Sequence, residues 1–254
     1  MGTKSFSLDK KVTVVTGGRQ GIGKVVAHAL AEQGSDIVIV DVADATDVAA
    51  EIAAQHEVRA IALTCDVTDP EAVGRAIAAA AEEMGTLDLL FNNAGICVHK
   101  PALDCTPSDF TKVIDINLNG IFFVAQAFVR YLVAEGKSGN IVNTASMSGT
   151  IVNIPQDQAS YNASKAGVAH LTKSLAVEWA PLGIRVNSIS PGYIQTEMTG
   201  NVREDWRQIW TEMIPFKRMG TPEELSGAVV YLLSDASTYT SGADLIIDGC
   251  FTTV

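Results

Sequence analysis

Residues 11–16, Lys-Val-Thr-Val-Val-Thr, form a short β-branched run, and the stretch after residue 23 carries Val25, Val26, Ala29 and Leu30 in helical spacing. β-Branched runs favour strands, and apolar residues recurring at intervals of three and four favour an amphipathic helix. Between the two stands Gly17-Gly18-Arg19-Gln20-Gly21-Ile22-Gly23. This succession of strand, glycine-rich turn and helix constrains the chain more than any other feature. Glycines let a backbone approach a ligand closely, and the free N–H groups that open a helix attract negative charge. The spacing here is G-x-x-x-G-x-G rather than the G-x-G-x-x-G of the common dinucleotide fingerprint. A tight turn that merely needs glycines would look the same in isolation.

The same alternation runs through the chain. Strands are predicted at 11–16, 35–41, 59–64, 87–92, 139–145, 185–190 and 244–247. Helices are predicted at about 21–33, 45–56, 70–84, 108–134, 160–180 and 223–233. Asp69-Pro70-Glu71 and Thr221-Pro222-Glu223 read as helix starts, each with a cap, a proline and an early acid. Continuously apolar strands alternating with helices imply a parallel sheet covered on both faces. In such sheets ligands bind beyond the carboxyl ends of the strands. Asp66-Val67, Asn92-Asn93-Ala94-Gly95, Ser146 and Pro191-Gly192 all fall just after predicted strands.

The second strand ends at Asp41. A carboxylate there, about 20 residues past the glycines, suits the two ribose hydroxyls of an adenosine and repels a 2′-phosphate. Arg19 acts in the opposite sense, since a basic residue in the glycine turn could neutralise that phosphate. Asp41 is fixed to a strand end while Arg19 lies in a loop and is free to face solvent. The expectation is therefore NAD in preference to NADP.

At 254 residues and 47% hydrophobic content the chain can bury a large core as one domain. No linker, repeat or low-complexity tract divides it. A net charge of −11 argues against a nucleic-acid or anionic-membrane surface. Cys65, Cys97, Cys105 and Cys250 show no CxxC or metal spacing. They read as reduced thiols, so a cytoplasmic location and no metal are expected. No signal peptide is recognised before the first strand, and no uninterrupted apolar run approaches membrane-spanning length.

Tyr161 and Lys165 stand four residues apart in Ser160-Tyr161-Asn162-Ala163-Ser164-Lys165. On a helix that spacing places a phenol and an ammonium on one face. A fixed positive charge favours the phenolate and lowers its pKa, which makes a usable general acid/base. Such a pair occurs by chance on many surface helices, and its weight comes from the company it keeps.

That company resembles the short-chain dehydrogenase/reductase family over essentially the whole chain. The matching pieces are Thr16-Gly17-x-x-x-Gly21-Ile22-Gly23, Asp66-Val67, Asn92-Asn93-Ala94-Gly95, Asn117-Leu118-Asn119-Gly120, Ser146, Tyr161-x-x-x-Lys165 and Pro191-Gly192, in that order. The resemblance implies a single Rossmann-type doubly wound α/β domain over residues 1–254. It implies hydride transfer between a nicotinamide cofactor and an alcohol or ketone. Tyr161 would exchange the substrate proton, and Lys165 would hold the nicotinamide ribose and depress the Tyr161 pKa. Ser146 would hydrogen-bond the substrate oxygen, and Asn117 would link Lys165 to solvent. Counting 13 residues back from Tyr161 selects Ser148 instead; counting from the strand end selects Ser146, the reading adopted. Gly17, Arg19, Gln20, Gly21, Ile22, Gly23 and Asp41 would surround the pyrophosphate and adenosine ribose. Asp66 and Val67 would meet the adenine edge. Asn93, Ala94 and Gly95 would lie against the ribose, and Pro191, Gly192, Ile194 and Thr196 would reach the nicotinamide. Asn92 reads equally as a brace between central strands. The family usually assembles as tetramers, so a homotetramer is expected.

Residues 197–215, with Met198, Trp206, Trp210 and Met213, should form a lid within about 193–215. Trp206 and Trp210 share one helical face, which reads first as packing. Cys97, Val98, His99 and Lys100 could line the entrance. Asn153 and Gln158 are candidate substrate ligands, with Gln156 and His99 nearby. A site that hydrogen-bonds several hydroxyls discriminates strongly. The run from Val152 to Val168 resembles the mannitol, sorbose and arabinitol dehydrogenases or reductases of the family, so a polyol/ketose pair is expected. Competing readings are a 3-oxoacyl-thioester reductase, a hydroxysteroid dehydrogenase and a non-catalytic dinucleotide-binding scaffold. The acidic surface disfavours an acidic carrier protein, and a steroid requires a greasier pocket. The intact Ser146, Tyr161 and Lys165 set disfavours a scaffold.

Overall fold

A computed structural model describes residues 5–200 and 202–254, the Met198 side chain excepted. Seven strands form one parallel sheet in the order β3-β2-β1-β4-β5-β6-β7. They are β1 Val12–Thr16, β2 Asp36–Asp41, β3 Ala60–Thr64, β4 Leu89–Asn92, β5 Gly139–Thr144, β6 Ile184–Pro191 and β7 Asp244–Ile247. The helices are α1 Gly21–Glu32, α2 Thr46–His56, α3 Pro70–Met84, α4 Pro107–Ile114, α5 Gly120–Ala134, α6 Ala159–Trp179, α7 Glu197–Gly200, α8 Glu204–Met213 and α9 Glu223–Leu233. Parallel pairing puts every strand's carboxyl end on one edge. The chain walks outward from β1 to β3, then returns to place β4 on the other side of β1. The order reverses there, and a crevice opens at that edge.

The strands are apolar on both faces because both faces are covered. Along β2, Ile37 and Ile39 join one core cluster while Val38 and Val40 join the other. The first cluster packs against α1 and α9 through Val26, Leu30, Leu225, Val229 and Leu233. The second packs against α3 and α5 through Val73, Ile77, Val124, Phe128 and Leu132.

Local chemistry sets the helix ends. Asp69 Oδ1 accepts from the Glu71 and Ala72 amides (2.9 and 3.0 Å), with Pro70 at the first helical position. At the other predicted proline start, Glu224 Oε2 reaches back to the Thr221 amide (2.9 Å).

One expectation requires correction. A single helix over 108–134 is predicted, whereas the structure has α4, a π-helical turn over Asp115–Asn119, and α5. A π turn inserts one residue into the helical count, and such bulges gather at functional positions. By length and composition the joined segment Pro107–Ala134 could cross a membrane. Its residues Val124, Phe128 and Leu132 are buried against the sheet.

Candidate functional site

The reversal point is stitched by one hydroxyl. Thr16 Oγ1, at the end of β1, donates to Asn92 Oδ1 (3.2 Å) and accepts from the Asn93 and Ala94 amides (2.9 and 3.1 Å). Asn92 Nδ2 ties β4 to α5 through Ile121 O (2.8 Å). Asn92 is 1% exposed, and these bonds make it a brace between central strands. Asn93 Oδ1 accepts from Thr144 Oγ1 (3.2 Å), which carries the network on to β5.

The glycine turn is built for close approach. Gly17 takes φ +65°, and a Cβ on it would lie 2.9 Å from Ala94 Cα. A Cβ on Gly23 would lie 2.0 Å from Gly17 O, so α1 can pack on the turn only without a side chain there. Helix α1 opens with no side-chain cap and no acid in its first turn. Its amide groups therefore stay available to an anion. A carboxylate from elsewhere does approach: Glu197 Oε2 of α7 would lie 3.5 Å from a Cβ at Gly21. The donor set at this helix start fits a pyrophosphate.

Asp41 is held by backbone, with Oδ2 accepting from the Arg19 amide (3.2 Å) and Oδ1 from the Ala43 amide (3.1 Å). Arg19 is exposed, as expected of a loop residue, but it is not free: its Nε donates to Asp44 O (3.0 Å), which ties the guanidinium beside the Asp41 turn. Asp66 folds its carboxylate onto Thr68 N and Oγ1 (2.9 and 2.8 Å). Val67 packs where a Cβ on Gly120 would meet it at 2.8 Å. Ile194 is buried, and its backbone bridges to Gly220. The Thr196 amide donates to Thr199 Oγ1 (2.9 Å).

Tyr161 and Lys165 lie on α6, with the Lys165 Nζ 5.6 Å from the Tyr161 ring centroid. Ser146, after β5, lies close enough to the Tyr161 phenol to act on its titration. Ser148 instead meets Gln158 Nε2 (3.3 Å) through its hydroxyl and donates its amide to Ser146 Oγ (3.1 Å). Both serines line the cavity that holds Tyr161, and Ser146 is the one that acts on the Tyr161 phenol. Lys165 is 3% exposed and donates to Thr144 O (2.7 Å). Loss of hydration pulls its ammonium down to about 8. The Tyr161 phenol moves up, first through burial, with the nearby Cys97 adding to the rise and the Ser146 bond opposing it. Sequence reasoning expects Lys165 to lower this phenol. Here burial dominates, and the Lys165 ammonium gives its hydrogen bond to a carbonyl instead of the phenol.

Asn117 sits in the π turn, fully buried. It accepts from the Ile96 amide (2.8 Å) and donates to Ile96 O (2.9 Å) and Ser164 Oγ (3.1 Å). A Cβ on Gly95 would lie 3.3 Å from Asn117 Oδ1 and 3.5 Å from Lys165 Nζ. The π turn thus brings Asn117 against the loop that also faces Lys165.

A cavity of about 90 Å³ collects Ser146, Tyr161, Asn153, Gln158, Cys97 and His99 with Gln156, Tyr193 and Trp210. A larger cleft of about 870 Å³ runs between α1 and the α7–α8 segment past Gly21 and Thr196. It is lined by neither Ser146 nor Tyr161, both of which face the smaller space. Lys100 does not line that space; its Nζ pairs with Asp109 (2.6 Å) at the start of α4. Trp206 packs edge-on to His99 (5.3 Å), and Trp210 is 2% exposed in a small core beneath the segment. Met213 is exposed, and the Met198 side chain lies outside the described residues.

Residues 17–252 match the sequence model of a family described as enoyl-(acyl carrier protein) reductase. A sorbose reductase from Schizosaccharomyces pombe is 46% identical over 251 residues, covering 97% of this chain and 98% of its own. The chain belongs to the short-chain dehydrogenase/reductase family. A probable NADP-dependent mannitol dehydrogenase from Yarrowia lipolytica is 43% identical over 96% of this chain and 88% of its own. An NADH-dependent L-xylulose reductase from Ambrosiozyma monospora is 42% identical over 98% of this chain and 97% of its own. A solved short-chain dehydrogenase/reductase from Mycobacterium marinum superposes with a TM-score of 0.94 at 44% identity, covering 98% of each chain.

Within this dehydrogenase/reductase frame, sequence reasoning did not assign Tyr193 or Trp210 to the cavity wall. Tyr193 directly follows the Pro191-Gly192 pair, and that adjacency was the available signal.

The buried ammonium sets a measurable balance. A depression from 10.5 to about 8 corresponds to a cost of about 3 kcal/mol at neutral pH. The cost is full below the folded pKa and disappears as pH rises toward the unfolded one, since only the unfolded state then keeps the proton. Lys165→Met is therefore expected to raise denaturant stability at pH 7 by about 1–3 kcal/mol, after allowing for the lost bond to Thr144 O. The gain should shrink between pH 8 and pH 10.5. Urea titrations across that range check it, and a destabilised variant at pH 7 would contradict it.

Proposed function

We propose that this chain interconverts a polyol and its ketose, using NAD, with Ser146, Tyr161, Lys165 and Asn117 as its working set. The meeting of Ser146 and Tyr161 inside one cavity walled by amide side chains carries the reading. Bound at the glycine turn, the nicotinamide cofactor supplies or accepts the hydride. The chain's own groups manage the oxygen. In reduction Tyr161 starts as the phenol, the form burial favours, and gives its proton to the carbonyl oxygen; in oxidation it starts as the phenolate and takes the proton of the alcohol. Ser146 donates a hydrogen bond to the same oxygen, where negative charge develops. The ammonium of Lys165 stabilises the phenol oxygen once its proton has left. Asn117 holds the Ile96 loop against α6, which fixes the floor beneath Lys165. The α7–α8 segment serves as the lid, held to the floor by Trp206 against His99. A cytoplasmic homotetramer is part of the same reading.

The named relatives point to sugars and sugar alcohols, while the family description mentions an acyl carrier protein. Rates decide between them. Sorbose, fructose, xylulose and ribulose are expected to outrun an acetoacetyl thioester by at least tenfold in kcat/KM. A thioester faster than every ketose by tenfold would overturn the polyol reading.

Cofactor choice rests on Asp41. Its carboxylate is held by two backbone amides, and a 2′-phosphate brought to that strand end would be repelled by it. Arg19, tied to Asp44 O, offsets only part of that repulsion. Wild-type kcat/KM is expected to favour NAD over NADP, and Asp41→Ser should erode that ratio by at least tenfold. A wild-type ratio favouring NADP would show that Arg19 outweighs Asp41.

A further inference from the structure

Tyr193 is 8% exposed, and its hydroxyl lies where two amides converge. Asn153 Nδ2 donates to it at 3.1 Å and Gln156 Nε2 at 3.0 Å. For Gln156 the polarity of the bond is dictated from outside. An indole N–H can only donate. Trp210 Nε1 stands 2.9 Å from Gln156 Oε1, so the Gln156 oxygen faces the indole and its nitrogen faces the phenol. Gln158 Nε2 donates to Asn153 Oδ1 (3.0 Å), which turns the Asn153 nitrogen toward the same phenol. Neither amide nitrogen can accept the phenol proton. Tyr193 thus has its oxygen doubly engaged as an acceptor, while its own O–H remains to be given elsewhere. Its side chain lines the cavity that holds Ser146 and Tyr161.

The ring that carries this hydroxyl is clamped. It stacks on Trp210 at 4.2 Å and 10°, and Phe251 meets it edge-on at 5.4 Å. A clamped ring sets the position of its oxygen, and a fixed donor selects among substrates. Burial pushes the Tyr193 phenol up, so the hydroxyl keeps its proton at working pH.

We propose that Tyr193 is a specificity-determining residue that donates a hydrogen bond to a second oxygen of the substrate, distinct from the oxygen taken by Ser146 and Tyr161. This assignment rests on the polyol/ketose reading above. It also explains why Asn153 and Gln158, expected as substrate ligands, are engaged with other side chains. Gln158 Nε2 meets Ser148 Oγ, Asn153 Oδ1 and Asn162 Oδ1 (3.3, 3.0 and 2.8 Å). With Gln156 these amides form a relay that aims the Tyr193 proton. A substrate without the matching oxygen would leave that donor desolvated and unpaired, the arrangement that gives hydroxyl-reading sites their discrimination.

The test pairs an enzyme hydroxyl with a substrate hydroxyl. The ketose turned over fastest by the wild type is compared with each of its monodeoxy analogues, in wild type and in Tyr193→Phe. Phenylalanine keeps the ring on Trp210 and removes only the O–H. One deoxy analogue is expected to lose at least tenfold in kcat/KM with the wild type and less than twofold with Tyr193→Phe. Because each penalty is a ratio within one enzyme, a general loss of folded protein cancels. Identical deoxy penalties in both enzymes would overturn the assignment while leaving the polyol reading intact. A wild type that turns over no ketose would overturn both.

Discussion

The architecture of the site depends on how the sheet closes its own reversal point. Two parallel strands that meet there, β1 and β4, end side by side at Thr16 and Asn92, and the chain leaves the ladder in the loop after each. Thr16 serves the loop after β4 with a single hydroxyl, accepting from its Asn93 and Ala94 amides and giving its proton to Asn92. Buried polar groups without partners cost on the order of 1–3 kcal/mol each, so this stitch stabilises a crevice that would otherwise expose raw backbone. It also fixes Asn93, Ala94 and Gly95 opposite the glycine turn. A Cβ on Gly17 would strike Ala94, and Asn93 Nδ2 reaches Gly17 O at 3.3 Å. From this seam the geometry extends to β5 through Thr144, and Thr144 O receives Lys165.

Around that seam the fold tolerates an unfavourable burial. Lys165 is an ammonium at 3% exposure, and within hydrogen-bond distance its partner is a carbonyl rather than a carboxylate. A neutral side chain of similar shape would pack there more cheaply. The neighbouring phenol is displaced in the opposite direction, upward. Two neighbouring titratable groups pushed away from their ordinary values, one of them lining a cavity, are a pattern of functional sites. Stability is given up locally and recovered in the two apolar layers on either face of the sheet.

Much of this was legible in the sequence because it is local. β-Branched runs placed every strand within two residues, and the i, i+4 spacing placed Tyr161 and Lys165 on one helix. Glycine spacing located a turn whose tight contacts at Gly17 and Gly23 exclude side chains. The misses are properties of packing. The π turn at Asn117 hides in an apolar pattern that reads equally well as continuous helix. The upward shift of Tyr161 comes from burial, which spacing alone does not report. Arg19 found a partner in Asp44, twenty-five residues along the chain. Tyr193 has its role assigned by Asn153, Gln156 and Trp210, three residues that meet only in the folded protein. A periodic pattern specifies which face is buried, and it says nothing of which donor meets which acceptor there.

The account stands or falls on the phenol of Tyr161 as the proton carrier. Single-turnover rates and equilibrium cofactor binding, measured on Tyr161→Phe beside the wild type, separate chemistry from affinity. The hydroxyl is the only group removed. Turnover is expected to fall at least a hundredfold, within the range typical of a lost general acid/base, while cofactor affinity changes less than threefold. Near-normal turnover in Tyr161→Phe would contradict the mechanism.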